Sequence, residues 1–322
     1  MAESHKQKKR KDDFLMQGAI LAIAGVITKI IGVVYRIPLT NILGDEGMGF
    51  YGYAFEVYAL ALLLSSLSLP TVVSKLVSAR MAMRQRRNAF RVFVCSLVFS
   101  IVIGAVFALI IFFGADLISS HIMESPLSAY ALKVLAPGLF IVSVLGVLRG
   151  YFQGLGTMVP TAVSQVIEQI VNAVISLAGA SILFGIGIKA AEKQNNDLMG
   201  PAYGAAGGTL GTIAGALSAL FFLLFAFFVY RGVIRRQLRT DRTRRQESYG
   251  RILKILLITL VPIIFSTAIY NINQLLDMTI FNKIMEICFH FCTQNVSYFY
   301  GTVNFAFSVT SCTCIYLGEV CG

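Results

Sequence analysis

The chain has 322 residues, a formal net charge of +11 and a mean hydropathy of +0.75. Hydrophobic residues make up 57% and charged residues only 13%, where a soluble globular domain carries about 25%. This excludes a water-soluble fold and predicts an all-α, polytopic transmembrane helical bundle. The positive charge does not point to nucleic acid, because the Lys and Arg residues lie in short segments between apolar spans, as topology determinants do.

Residues 1–13 form a basic tail, and the first span runs from Phe14 to Ile37, ending at Pro38. No cleavable signal peptide is expected, since this run is too long and lacks a small-residue cleavage site. It carries two cations, Lys29 and Arg36, whose spacing is nearly two full helical turns, so both lie on one face. Gly18, Gly25 and Gly32 repeat at the same spacing on a neighbouring stripe. A cation near mid-membrane costs roughly 2.5–3.5 kcal/mol on insertion scales, so it faces a bundle interior or a watery cavity unless it can snorkel to an interface. Snorkelling is easier for Arg36, at the span's end, than for Lys29.

A short loop, LTNILGDEGMG, leads to a second span over about Phe50–Val73 and a strongly basic segment, Ser74–Arg91. The third span covers about Val92–Phe113, and the loop after it has no Lys or Arg. The fourth covers about Leu127–Leu148, with Lys133 near its outer end, and a tight connection, RGYFQGLGT, carries Arg149. The fifth covers about Met158–Ile186 and the sixth about Tyr203–Tyr230, giving a six-helix N-terminal lobe over residues 14–230. Residues 231–251 form the most basic loop, and a seventh span over about Ile252–Leu276 opens a second lobe that reaches residue 285. Basic and cation-poor loops alternate, so the positive-inside rule puts the N-terminus and every second loop in the cytoplasm.

Polar residues inside the fifth span, Thr161, Ser164, Gln165, Glu168 and Asn172, fall on one helical stripe. Glu168 is the one acid deep in an apolar span. Two readings stand side by side: a hydrogen-bonded packing residue, or a cavity-lining group that pairs with a cation or couples to a proton. The seventh span has a similar stripe of Ser266, Tyr270, Asn273 and Asp277. In the sixth, Gly204, Gly208, Gly211 and Gly215 share a face, with Gly207–Gly211 as a further small-residue pair, which predicts close helix packing. The glycines of GDEGMG follow no strand, so they are no dinucleotide fingerprint. No catalytic constellation and no cofactor motif is present, which disfavours an enzyme.

Several long blocks in order resemble the bacterial lipid-linked oligosaccharide flippases of the multidrug/oligosaccharidyl-lipid/polysaccharide exporter superfamily, closest to the lipid II flippase and stage V sporulation protein B group. They are QGAILAIAGVITKIIGVVYRIPLTNILGDEGMGFYGYAFEVY, SLPTVVSKLVSAR, LRGYFQGLGTMVPTAVSQVIEQIVNAV and YGAAGGTLGTIAGAL. The resemblance implies two six-helix lobes around a central cavity, alternating access across the bacterial cytoplasmic membrane, and a polyprenyl-diphosphate-linked sugar as cargo. It further implies that Lys29 and Arg36 hold the diphosphate, while the polar stripes of the fifth and seventh spans offer Glu168, Gln165, Asn172 and Asn273 as further substrate-binding residues, with a coupling cation as an optional partner. A cation-coupled multidrug exporter of the same superfamily and a non-transporting scaffold are the alternatives.

Residues 286–322 depart in composition and hold five of the six cysteines. A lost reading frame and a divergent eighth span are the two accounts of this segment. The Cys288, His290, Cys292 cluster matches no standard zinc spacing.

Overall fold

The computed structural model describes residues 2–121, 123, 125–194, 196–241, 246–267 and 269, with side chains from residue 16 onward apart from 67, 193, 194 and 237. They form helices α1 (Ala2–Leu62), α2 (Leu69–Ala82), α3 (Arg86–His121), α4 (Ser128–Gly154), α5 (Val159–Gln194), α6 (Met199–Arg239) and α7 (Tyr249–Thr267), with a π-helical turn at Leu63–Leu67. Among the described residues there is no strand. Six stretches are long and apolar enough to cross a membrane, and the first, Met16–Ala82, has 67 residues. Drawn straight it would reach about 100 Å, some three times the hydrocarbon thickness of a bilayer.

Gly44 solves that problem. Its backbone (φ 66°, ψ −176°) leaves the helical region for one that side-chain-bearing residues almost never enter, and α1 folds back into two arms. Tyr35 before the turn and Tyr51 after it come within electrostatic reach of each other, and Leu39, Leu43, Met48 and Tyr51 bury in one cluster. The loop expected between the first two spans is therefore a one-residue turn. Nor does Pro38 end the first span, because the helix runs on to Leu43. Burial of Leu39 and Leu43 beside α6 outweighs the one backbone hydrogen bond that a proline removes.

The second arm passes through the π-helical turn, where Ser65, Ser66 and Ser143 are linked by their hydroxyls. Ser143 donates to the Leu139 carbonyl, so Ser66 donates to Ser143 and Ser65 to Ser66. Next, α2 lies against a glycine ladder of α4. A Cβ on Gly150 would stand 2.5 Å from the Pro70 carbonyl oxygen, and one on Gly154 2.6 Å from the Val77 Cβ. These glycines read in sequence as a tight connection. They are helical because α2 presses on them, and the turn itself is only Leu155–Met158, with Gly156 at φ 82°. Arg149 is thereby inside α4.

Glycines also join α5 to α6. Gly179 and Gly207 meet backbone to backbone, Gly211 sits on Ser176 and Asn172, and Gly215 sits on the Glu168 carbonyl. Gly208 turns instead toward Leu39 and Tyr51 of α1, and Gly204 lies between Phe184 of α5 and Leu43 of α1. The small-residue face expected on α6 is present, and it serves two partners. Beyond α6, Ile252, Leu256 and Leu260 of α7 bury in the same cluster as α2, α3, α4 and α6 residues such as Val73, Phe93, Leu148 and Leu223. The start of the seventh span, assigned from sequence to a second lobe, is thus packed on the bundle.

Candidate functional site

The first arm of α1 has two unlike sides. Ile23, Val26, Ile30, Val34 and Ile37 are each about 60% exposed and recur at helical spacing, a stripe suited to lipid. Ala24, Thr28 and Leu39 on the other side are buried. Lys29 and Arg36 lie between these two faces, half-buried, with Gly25 and Gly32 alongside. Neither cation points into the lipid stripe.

The stripe on α5 comes to the same place. Gln17 Oε1 accepts the Met158 backbone N–H at 2.7 Å, which fixes α1 and α5 as parallel neighbours starting level with each other. From that contact Lys29 is about 18 Å along its helix and Glu168 about 15 Å along its own, at 1.5 Å per residue. The second arm of α1 carries Tyr51, Phe55 and Tyr58 in a row, Phe55 tilted on Tyr51 at 4.6 Å and edge-on to Tyr58 at 5.9 Å between ring centroids. Tyr51 is within electrostatic reach of Arg36, and Tyr58 within that of Glu168.

Glu168 is paired. Its Oε2 accepts from Arg149 Nη2 at 2.6 Å, while Arg149 Nε donates to Ser164 Oγ at 3.1 Å. The two charged side chains keep 15% and 21% of their surface accessible, so the pair is largely withdrawn from water but not sealed. Asn172 of α5 is buried against Gly211 and Gly215 of α6; its Nδ2 reaches the Tyr35 hydroxyl at 3.5 Å, and Ser176 can donate to its Oδ1 (2.9 Å) or to the Gly208 carbonyl (2.7 Å). Gln165 Oε1 and Thr161 Oγ1 are buried with no hydrogen-bond partner among the described residues. The helices bring cations, carboxylates including Glu168, amides and phenols into a partly buried setting. Charges there act far more strongly than in water.

Lys29, Arg36, Gln165, Glu168 and Asn172 therefore lie on two neighbouring helices, and Asn172 reaches the first arm of α1 through Tyr35. Asn273 lies outside the described residues, as do Tyr270, Asp277 and the Cys288, His290, Cys292 cluster, and Ser266 is exposed. Among the described residues no cluster of His, Cys, Asp and Glu could hold a metal ion. Lys133 pairs with Asp116 at 2.7 Å at the far end of the bundle. The residue that sequence reasoning missed is Arg149. The signal was available in the four-residue repeat of Gly146, Gly150 and Gly154, a helix-packing pattern rather than a turn.

Long apolar helices with polar and charged residues on their inner faces define a multi-pass membrane protein. The chain belongs to the polysaccharide biosynthesis protein family, which it matches over residues 14–311, past residue 285 where its composition changes. It is 32% identical over 225 residues to stage V sporulation protein B of Bacillus subtilis, covering 70% of this chain and 41% of that one. It is 24% identical over 280 residues to the lipid II flippase MurJ of the same organism, covering 84% and 50%. The chain thus spans about half the length of the curated relatives it matches. Among solved structures, MATE in complex with MaD3S superposes with a TM-score of 0.67 at 19% identity, covering 94% of this chain and 64% of that one. That likeness shows a shared fold.

Proposed function

We propose that this chain provides the first lobe of a flippase that moves a polyprenyl-diphosphate-linked sugar across the bacterial cytoplasmic membrane by alternating access. The observation that carries the proposal is the position of Lys29 and Arg36, half-buried on the inner flank of a helix whose outer face is apolar. A diphosphate is a compact multiple anion, and two cations in a site of low dielectric favour it strongly. The half-buried Tyr35, Phe55 and Gln165 suit contact with a sugar, while the polyprenyl tail stays in the bilayer. Orientation follows the basic segments, with the N-terminus in the cytoplasm. A membrane potential negative inside then drives an anionic head outward, by about 2.3 kcal/mol per charge per 100 mV. No bond in the cargo is broken, so the role is transport rather than catalysis. The kinship with stage V sporulation protein B and the lipid II flippase supports a cell-wall precursor as cargo.

The rival is a cation-coupled multidrug exporter, favoured by the likeness in fold to MATE. It would need an acidic interior, and Glu168 is occupied by Arg149. The test is binding of a short-chain polyprenyl diphosphate to the purified chain in detergent. Lys29→Ala and Arg36→Ala are expected to weaken binding at least tenfold each with thermal stability kept. Binding of lipophilic cations in its place, unaffected by either change, would overturn the proposal in favour of the exporter.

A further inference from the structure

We infer that Glu168 sets the net charge of the binding region by occupying Arg149, and thereby governs how tightly an anionic headgroup is held. This inference rests on the proposed binding of a diphosphate.

Three observations place the pair where it can act. Glu168 springs from the same depth as Lys29 on a parallel neighbouring helix, a register fixed by the Gln17–Met158 contact. The Tyr51–Phe55–Tyr58 aromatic row is within electrostatic reach of Arg36 at one end and of Glu168 at the other, so the ion pair and the helix-1 cations flank one aromatic row. Both side chains of the pair keep partial accessibility, which a purely internal structural bridge does not need.

The chemistry follows from electroneutrality. A guanidinium fits phosphate oxygens as well as it fits a carboxylate, and as a third cation beside Lys29 and Arg36 it would deepen the well for the headgroup. A flippase must release its cargo, so binding that is too strong slows turnover as surely as weak binding does. Glu168 holds Arg149 by its Nη2 while Ser164 fixes the Nε, and the guanidinium is kept in α4–α5 packing. The carboxylate also repels an approaching phosphate. The pair is neutral as a unit, so each single substitution shifts the local charge by one and the double substitution does not shift it.

The test measures affinity for a short-chain polyprenyl diphosphate, with the uncharged polyprenol as control and thermal unfolding of every variant in parallel. Glu168→Gln is expected to tighten diphosphate binding on the order of tenfold, the effect of one charge at about 10 Å in a site of intermediate dielectric. Arg149→Gln is expected to weaken it by a similar factor. Arg149→Gln with Glu168→Gln is expected to return to within about threefold of the parent. Polyprenol binding should not move in any variant. A purely structural bridge predicts something else: both single variants lower stability and change affinity in the same direction, or not at all, and that result overturns the inference. If the parent binds the diphosphate through Lys29 and Arg36 while Glu168→Gln leaves affinity unchanged, this inference alone fails. If the parent does not bind the diphosphate, the proposed function fails with it.

Discussion

Arg80 and Glu247, 167 residues apart in the chain, form a two-pronged ion pair, with Arg80 Nε at 3.2 Å and Nη2 at 2.7 Å from the same carboxylate oxygen. The guanidinium is almost fully buried, and its Nη1 also donates to the Leu76 carbonyl. Around it the segment between α6 and α7 interlocks with the start of α3. Asp241 accepts the Arg87 backbone N–H at the exposed positive end of α3, and Arg87 Nε donates to the Leu238 carbonyl near the end of α6. Asn88 accepts the Glu247 N–H, and Arg91 reaches Gln246 while lying 4.4 Å over the Tyr249 ring. The described parts of the most basic segment, at Leu238–Asp241 and Gln246–Tyr249, are docked on α3.

Arg80→Ala leaves the Glu247 carboxylate without its main partner, and it is expected to lower stability by about 2–4 kcal/mol. Glu247→Gln preserves an acceptor for the guanidinium and is expected to cost less. Thermal unfolding in detergent checks the order. Equal transition temperatures for Arg80→Ala and the parent would mean the clamp contributes nothing.

Gly44 and Gly32 make a matched pair. Nothing lies within 4 Å of a Cβ built at either, so space is not the issue. Gly44 has φ 66°, whereas Gly32 is ordinary helix. Gly44→Ala is expected to destabilise by about 1–3 kcal/mol through backbone strain alone. Gly32→Ala is expected to be neutral or to stabilise by up to about 1 kcal/mol. If both behave alike, Gly44 is not the turn that folds α1 back.

At Gly207 the reason is steric. A side chain there would run into the Gly179 carbonyl, the closest backbone approach of α5 and α6. Gly207→Val is expected to cost at least about 2 kcal/mol, or to prevent assembly of the helix pair. Protease resistance and the yield of folded protein report it. Unchanged values for both would show that α5 and α6 can separate freely.

The proposed orientation is open to labelling. In a chain with its six native cysteines replaced by serine, Ser120→Cys is expected to react with a membrane-impermeant maleimide in intact cells. Thr240→Cys is expected to react only after permeabilisation. The reverse pattern would invert the topology and, with it, the direction in which the membrane potential pulls an anion.

Several features are legible in the amino-acid sequence because they are local or periodic. Apolar runs longer than about 20 residues have no stable place in water, so the membrane bundle follows from composition alone. A polar stripe at helical spacing, such as Gln165, Glu168 and Asn172, has one face to occupy, and it is legible for that reason. The α6 glycines are legible as a packing surface in the same way.

Tertiary structure alone decided what those faces meet. Pro38, Gly150 and Gly154 are residues that end helices when considered singly, yet helix persists through each because a neighbouring element buries or presses on it. For the same reason Arg149, which looks like a loop cation in the sequence, is the partner of Glu168. The order of residues determined which segments enter the membrane and which faces carry charge. Which cation answers Glu168 depended on how α4 and α5 pack, since an ion pair is chosen by distance in space and burial, and neither is written in sequence separation.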